Sequence, residues 1–196
     1  PLNAIVGFSD LLMITDNPSE KEEYSKIINT NNDLLLKLIN DILDLSKIEA
    51  GSVELKYEKF DLAVYFDELA TSMQWRVKNS QVRLVSINPY TTCMVKLDKK
   101  RFTQIFTNYV TNAIKYTPEG TIEMGYEEVE EGIRIYVRDT GIGIPEDKKD
   151  KVFYRFEKLD EFAQGTGLGL SICKAIVEAC GGSLGFESEY GKGSFF

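Results

Sequence analysis

Asp139-Thr140-Gly141-Ile142-Gly143-Ile144-Pro145 decides the reading of this 196-residue chain. It closes an alternating run, Ile133, Ile135 and Val137, whose period of two marks a strand with one face buried. A carboxylate at a strand end, followed by glycines that permit close backbone approach, can accept a hydrogen bond from an exocyclic amine. A turn in which Asp139 merely caps its own backbone is the competing reading. Downstream, Gly165-Thr166-Gly167-Leu168-Gly169-Leu170 leads into a helix, and free amides at a helix N-terminus form an anion site. Upstream, residues 98 to 116 read as a helix whose apolar face (Phe102, Ile105, Phe106, Tyr109, Val110, Ala113) adjoins a polar stripe of Arg101, Asn108, Asn112 and Lys115. Amide oxygens suit a hard cation, while amide N–H and ammonium groups suit phosphate. Such a stripe alone also describes solvated surface, so the weight lies in its combination with the two glycine clusters.

Better-known phosphate loops are excluded. The GxGxG run follows a loop outside any βαβ unit, which removes the dinucleotide fingerprint. At Gly191-Lys192, Phe186 stands where a Walker A loop needs its first glycine, and Gly193 where it needs Ser or Thr.

Composition narrows the class further. With 43% hydrophobic and 28% charged residues the chain reads as an ordinary globular protein of one or two domains. A formal charge of −8 opposes binding to nucleic acid, which relies on Lys and Arg neutralising phosphates. No histidine is present, and Cys93, Cys173 and Cys180 form no CxxC pair; this disfavours zinc and predicts reduced thiols in a cytoplasmic setting. No run is long and apolar enough for a transmembrane helix. The chain opens on Pro1, which reads as a piece of a longer protein whose other parts could anchor it to a membrane.

Two helices fill the first fifty residues. Residues 2 to 14 form the first, Thr15 to Ser19 break it, and Tyr24, Ile28, Asn31, Leu35, Leu38, Ile42 and Leu45 mark a heptad seam on the second. Ile27, Leu34 and Ile48 widen that stripe beyond what one hairpin covers, so a four-helix bundle built by two chains is expected. Packing of the hairpin on its own downstream domain is the alternative. Gly51-Ser52 closes the helix. Then come a strand near 53 to 59, a helix from 61 to 79 capped by Asp61, strands near 82 to 88 and 94 to 97, the 98 to 116 helix, and strands near 121 to 128 and 132 to 139. A charged loop, a helix over 167 to 180 and two final strands complete an α+β sandwich with helices on one face of the sheet.

In order along the chain, Asn108-Tyr109-Val110-Thr111-Asn112-Ala113-Ile114-Lys115-Tyr116-Thr117 resembles the N box of sensor histidine kinases. Asp139 to Pro145 resembles their G1 box, Phe153-Tyr154-Arg155-Phe156 the F box, and Gly165 to Leu170 the G2 box. The hairpin resembles that family's dimerisation and phosphotransfer domain. The resemblance implies a dimerisation hairpin over residues 1 to 50 and a catalytic ATP-binding domain of GHKL (Bergerat) type over residues 51 to 196. It implies ATP and Mg²⁺ as cofactors, with Asn112 on the metal, Asn108 and Lys115 on the phosphates, Tyr116 near the adenine and Asp139 on its amine. Gly141, Gly143 and Ile144 would shape the base pocket. Gly165, Thr166, Gly167, Leu168, Gly169 and Leu170 would wrap the phosphates, behind a lid over 146 to 164 anchored by Phe153 and Phe156.

The fold's ATPase relatives carry a Glu as general base where this chain has Asn108, so transfer to a protein acceptor is expected over hydrolysis. The implied activity is autophosphorylation of a histidine and relay to an aspartate of a response-regulator receiver domain, in a homodimer held by residues 1 to 50. The family's acceptor motif approximates HExRTPLN, and this chain begins at its Pro1-Leu2-Asn3, so the acceptor is expected upstream of Pro1. A non-catalytic docking module with a nucleotide-sensing pocket is the alternative function.

Overall fold

The computed structural model describes residues 1–51, 54–130, 132–157 and 165–196, apart from the Glu49 side chain. Helices α1 (Leu2–Ile14) and α2 (Pro18–Glu49) form the hairpin. Asn17 caps α2 by accepting from the Ser19 amide at 3.0 Å, with Pro18 pre-set for the first turn. Phe8 and Tyr24 meet across it, ring centroids 5.6 Å apart, as antiparallel helices require. Asn31, read as a seam residue, bonds the Ile27 carbonyl of its own helix at 2.9 Å.

The rest of the chain is α+β: β1 (Glu58–Asp61), α3 (Leu62–Gln74), β2 (Val82–Ile87), β3 (Met94–Leu97), α4 (Lys99–Tyr116), β4 (Gly120–Val129), β5 (Gly132–Asp139), α5 (Glu146–Lys149), α6 (Gly169–Ala179), β6 (Glu187–Glu189) and β7 (Gly193–Phe195). The main sheet has the order β2-β4-β5-β7-β6, and β1 pairs with β3 in a separate two-stranded ribbon. Pairings are antiparallel except β2 with β4, which run parallel because β3 and α4 cross between them.

Alternation decides which face the helices cover. Ile122, Met124, Tyr126 and Val137 are buried on one face, under Phe66 of α3, Phe106 and Val110 of α4, and Ile172 and Ile176 of α6. Phe66 lies edge-on to Phe106 at 5.4 Å and against Tyr126 at 4.9 Å. The opposite face carries Glu127 paired with Arg134 at 2.8 Å, and Arg138 over the Phe195 ring. Among the described residues no helix is long and apolar enough to cross a membrane.

Three boundaries differ from expectation. Strand β1 starts at Glu58 rather than near Val53, which lies outside the described residues. Helix α3 stops at Gln74 instead of 79, because Asn79 accepts from the Gln81 amide and donates to the Pro118 carbonyl, launching β2. The charged loop contains the short helix α5. Ser52, read as a boundary residue, lies outside the described residues, as does the expected lid's segment 158–164.

The hairpin docks on this α+β body. Leu45 of α2 is buried there, with Leu38 and Ile48 partly so. Arg101 and Gln104 of α4 each reach Asp44 at 3.1 Å. Leu36, Ile39, Ile42 and Leu43 stay exposed on α2, as do Leu2 and Val6 on α1. One flank of the expected stripe thus meets its own body, while Ile42 and a neighbouring row outside that stripe, Leu36, Ile39 and Leu43, stay exposed among the described residues.

Candidate nucleotide site

Asp98 caps α4 by accepting from the Arg101 amide at 2.9 Å. The helix lays Phe102, Phe106 and Val110 into the core and turns Asn108, Asn112, Lys115 and Tyr116 toward a cavity of about 250 Å³. Asp139, Gly143 and Ile144 form one side; Gly165, Thr166, Gly167, Gly169 and Leu170, at the start of α6, form another. Two expected residues do not line it. Leu168 is fully buried in the core, and Gly141 supports the site from behind.

Asp139 is 7% exposed and accepts from the Gly141 amide at 2.9 Å. Burial pushes its carboxyl above the ordinary 3.8, and the amides of Gly141 and Ser194 pull back part of that rise. The Asx turn and the ligand-facing carboxylate are thus compatible: the amide bond to Oδ1 aims the group into the cavity. Gly141 has to be glycine here, because a Cβ would collide with the Tyr116 carbonyl oxygen, which Ile142 N–H already bonds at 3.0 Å. Gly167, at φ +71°, lies so close to Phe156 that a side chain would strike its backbone. There Phe156 N–H donates to the Gly167 carbonyl at 2.9 Å.

The polar stripe splits by function. Lys115 Nζ lies 4.7 Å from the Tyr116 ring centroid and beside Gly165. The Asn112 side chain makes no hydrogen bond to any described residue and lines the cavity, so its amide oxygen is open to a ligand. Asn108 donates to the Gly169 carbonyl at 3.4 Å and toward the Cys173 thiol at 3.6 Å, so its oxygen is the atom left for the cavity. Arg101 departs from the stripe altogether and faces α2.

Of the F box, Phe153 packs edge-on against Phe186, which stacks on Phe196, which meets Tyr109 of α4. The Phe156 ring is exposed, and its anchor is the backbone bond to Gly167.

Sequence reasoning missed Lys37, Lys148, Lys151 and Ser194, all of which line the cavity. Lys148 and Lys151 lay in plain view inside a charged loop. Ser194 follows from the β5–β7 pairing that sets it opposite Asp139. Lys37 belongs to the hairpin and had no local signal. Among the described residues the wall carries four lysines, Lys37, Lys115, Lys148 and Lys151, against two carboxylates, Asp139 and Glu157, in a chain of net charge −8.

A concave, locally basic site at a helix N-terminus, lined also by a buried carboxylate, defines a nucleotide-type pocket. Residues 97–196 match the family model described as histidine kinase-, DNA gyrase B- and HSP90-like ATPase, and residues 1–51 match the His kinase A (phospho-acceptor) domain. The chain belongs to the histidine kinase-, DNA gyrase B- and HSP90-like ATPase family and, by its attached hairpin, to the sensor histidine kinases within it.

All of the chain aligns with hybrid signal transduction histidine kinase L of Dictyostelium discoideum at 36% identity, and with sensor protein GacS of Pseudomonas syringae pv. syringae at 39%. It spans 12% and 23% of those relatives' lengths. Among solved structures it is similar over its full length to full-length ShkA in complex with AMPPNP, at 28% identity and a TM-score of 0.78, covering 42% of that chain. It is similar also to histidine kinase ThkA in complex with response regulator protein TrrA, at 27% identity and a TM-score of 0.76, covering 56% of that chain.

Proposed function

We propose that this chain is the kinase core of a two-component sensor histidine kinase, with residues 51–196 binding ATP and residues 1–50 forming the dimerisation hairpin. The observation that carries the reading is the charge of the cavity wall: four lysines and the start of α6, together with a buried carboxylate, Asp139. Such a wall suits a polyphosphate joined to a base with an exocyclic amine. The AMPPNP complex of ShkA supports it.

Asp139 accepts from the adenine amine, Tyr116 lies against the base, and Lys115 with the Gly165–Leu170 backbone takes the phosphates. Asn112 would hold Mg²⁺ through one neutral amide oxygen; no cluster of acidic residues, Cys or His among the described residues could hold a cation unaided. Bound there, the ion neutralises charge on the transferring phosphoryl group. Asn108 cannot act as a base, which favours a nucleophile supplied by a protein histidine over water. The whole protein then relays the phosphoryl group to a receiver-domain aspartate, a partnership that the ThkA–TrrA complex supports.

Calorimetric titration of the full chain with ATP and Mg²⁺ tests the site, and Asp139→Asn should abolish most of the affinity. With no histidine in its sequence, the chain should show no autophosphorylation. Acid-labile phosphate on it after incubation with ATP would overturn that part of the reading.

A further inference from the structure

Lys37 lies on α2, yet it lines the cavity together with Lys115, Gly165 and Thr166. Its position is set by contacts further along α2. One turn further along α2, Asp41 accepts from the Thr166 hydroxyl at 3.1 Å, and Thr166 Oγ1 in turn accepts from the Leu168 amide at 3.3 Å. Beyond Asp41, Asp44 is held by Arg101 and Gln104, and Leu45 is buried. Residues four apart share a helix face, so contacts that fix Asp41 against the glycine run also fix the root of Lys37 above it.

Electrostatics gives the lysine a reason to be there. Burial pushes the Asp41 carboxyl up, and the Lys37 charge and the Thr166 hydroxyl partly restore it. An uncompensated carboxylate beside the α6 N-terminus would repel an incoming polyphosphate. A neighbouring ammonium cancels that repulsion and has donors to spare for the ligand.

We propose that Lys37 is a polyphosphate-contacting residue supplied by the hairpin, so that nucleotide phosphates and the docking of α2 on the catalytic body stabilise each other. This rests on the ATP-site reading above. The coupling is reciprocal: whatever the docked hairpin adds to ATP affinity, ATP returns to docking.

The test is calorimetric titration of the full chain with ATP, ADP and adenosine, in wild type, Lys37→Ala and Asp41→Asn, with Lys26→Ala as an exposed control on the same helix. Lys37→Ala should weaken ATP about 3- to 10-fold and leave adenosine unchanged, as expected for a partly exposed charge-assisted contact. The loss should persist in the Asp41→Asn background, because the ammonium touches phosphate rather than merely steadying Asp41. Unchanged ATP affinity in Lys37→Ala, an equal loss for adenosine, or disappearance of the effect in Asp41→Asn would each overturn the inference while leaving the site reading intact. Failure of the wild-type chain to bind ATP would overturn both.

Discussion

Arg101 Nη1 lies 3.1 Å from Asp44 Oδ2, joining α4 to the hairpin by a pair that is largely shielded from water. Burial by itself would raise Asp44, but its hydrogen bonds to Arg101 and Gln104 and the Arg101 charge outweigh that and hold the carboxyl below its ordinary value. The pair's contribution is therefore complete at pH values above the usual carboxylate range and fades only as acid drives pH down through the depressed value. Asp44→Ala leaves the shielded guanidinium with the neutral Gln104 oxygen in place of its carboxylate and should cost about 2–3 kcal/mol of docking. Amide hydrogen exchange should quicken along the C-terminal half of α2 and stay unchanged in β4 and β5; equal exchange in both proteins would refute the latch.

Asp139 has the opposite sign. Because its native carboxyl is raised, the folded state takes up a proton before the unfolded chain does, and stability falls as pH rises through that window. ATP affinity should move the other way, dropping on acidification at a pH above 3.8, where an ordinary aspartate would still be ionised. Asp139→Asn should bind ATP weakly with a flat pH profile, yet melt no lower than wild type. A melting point well below wild type would mean that the carboxylate is structural.

Gly141 and Gly185 make a matched pair. A methyl at Gly141 meets the Tyr116 carbonyl, whereas one at Gly185 meets open space. Gly141→Ala should lose about 1–3 kcal/mol and most of the ATP affinity, while Gly185→Ala should be near neutral. Thermal melts and titration on both variants check this.

Asn112→Ala should reduce ATP affinity in Mg²⁺ roughly tenfold and change it little in EDTA, the loss expected for one ligand oxygen to a charged group. An equal loss in EDTA would reassign Asn112 to direct nucleotide contact.

Leu36 and Leu43 are 59% and 53% exposed on the uncovered flank of α2. A charge at both positions should convert a dimer to a monomer by sedimentation without lowering ATP affinity. A wild-type chain that sediments as a monomer at high concentration would remove the bundle.

Periodicity made much of this legible. The 100° spacing of Phe102, Phe106, Val110 and Ala113 located α4, and β3 ran over the expected residues. What failed was whatever depended on distant chain. Arg101 shares a helical stripe with Asn108 and Asn112, but Asp44, far upstream, decides where it points. Lys37 is one more exposed lysine on a helix until the hairpin docks. The early end of α3 depends on the Pro118 carbonyl, which no window around Asn79 contains.

Strand β7 enters the sheet between β5 and β6, and its pairing sets Ser194 opposite Asp139. Chain order thereby becomes a clock for synthesis. On the ribosome β5 emerges with that edge bare; Gly141 follows Asp139 at once, but Ser194 appears only after α6 has been made. Nucleotide cannot prompt early folding of this body; the pocket is among the last parts of residues 51–196 to be completed.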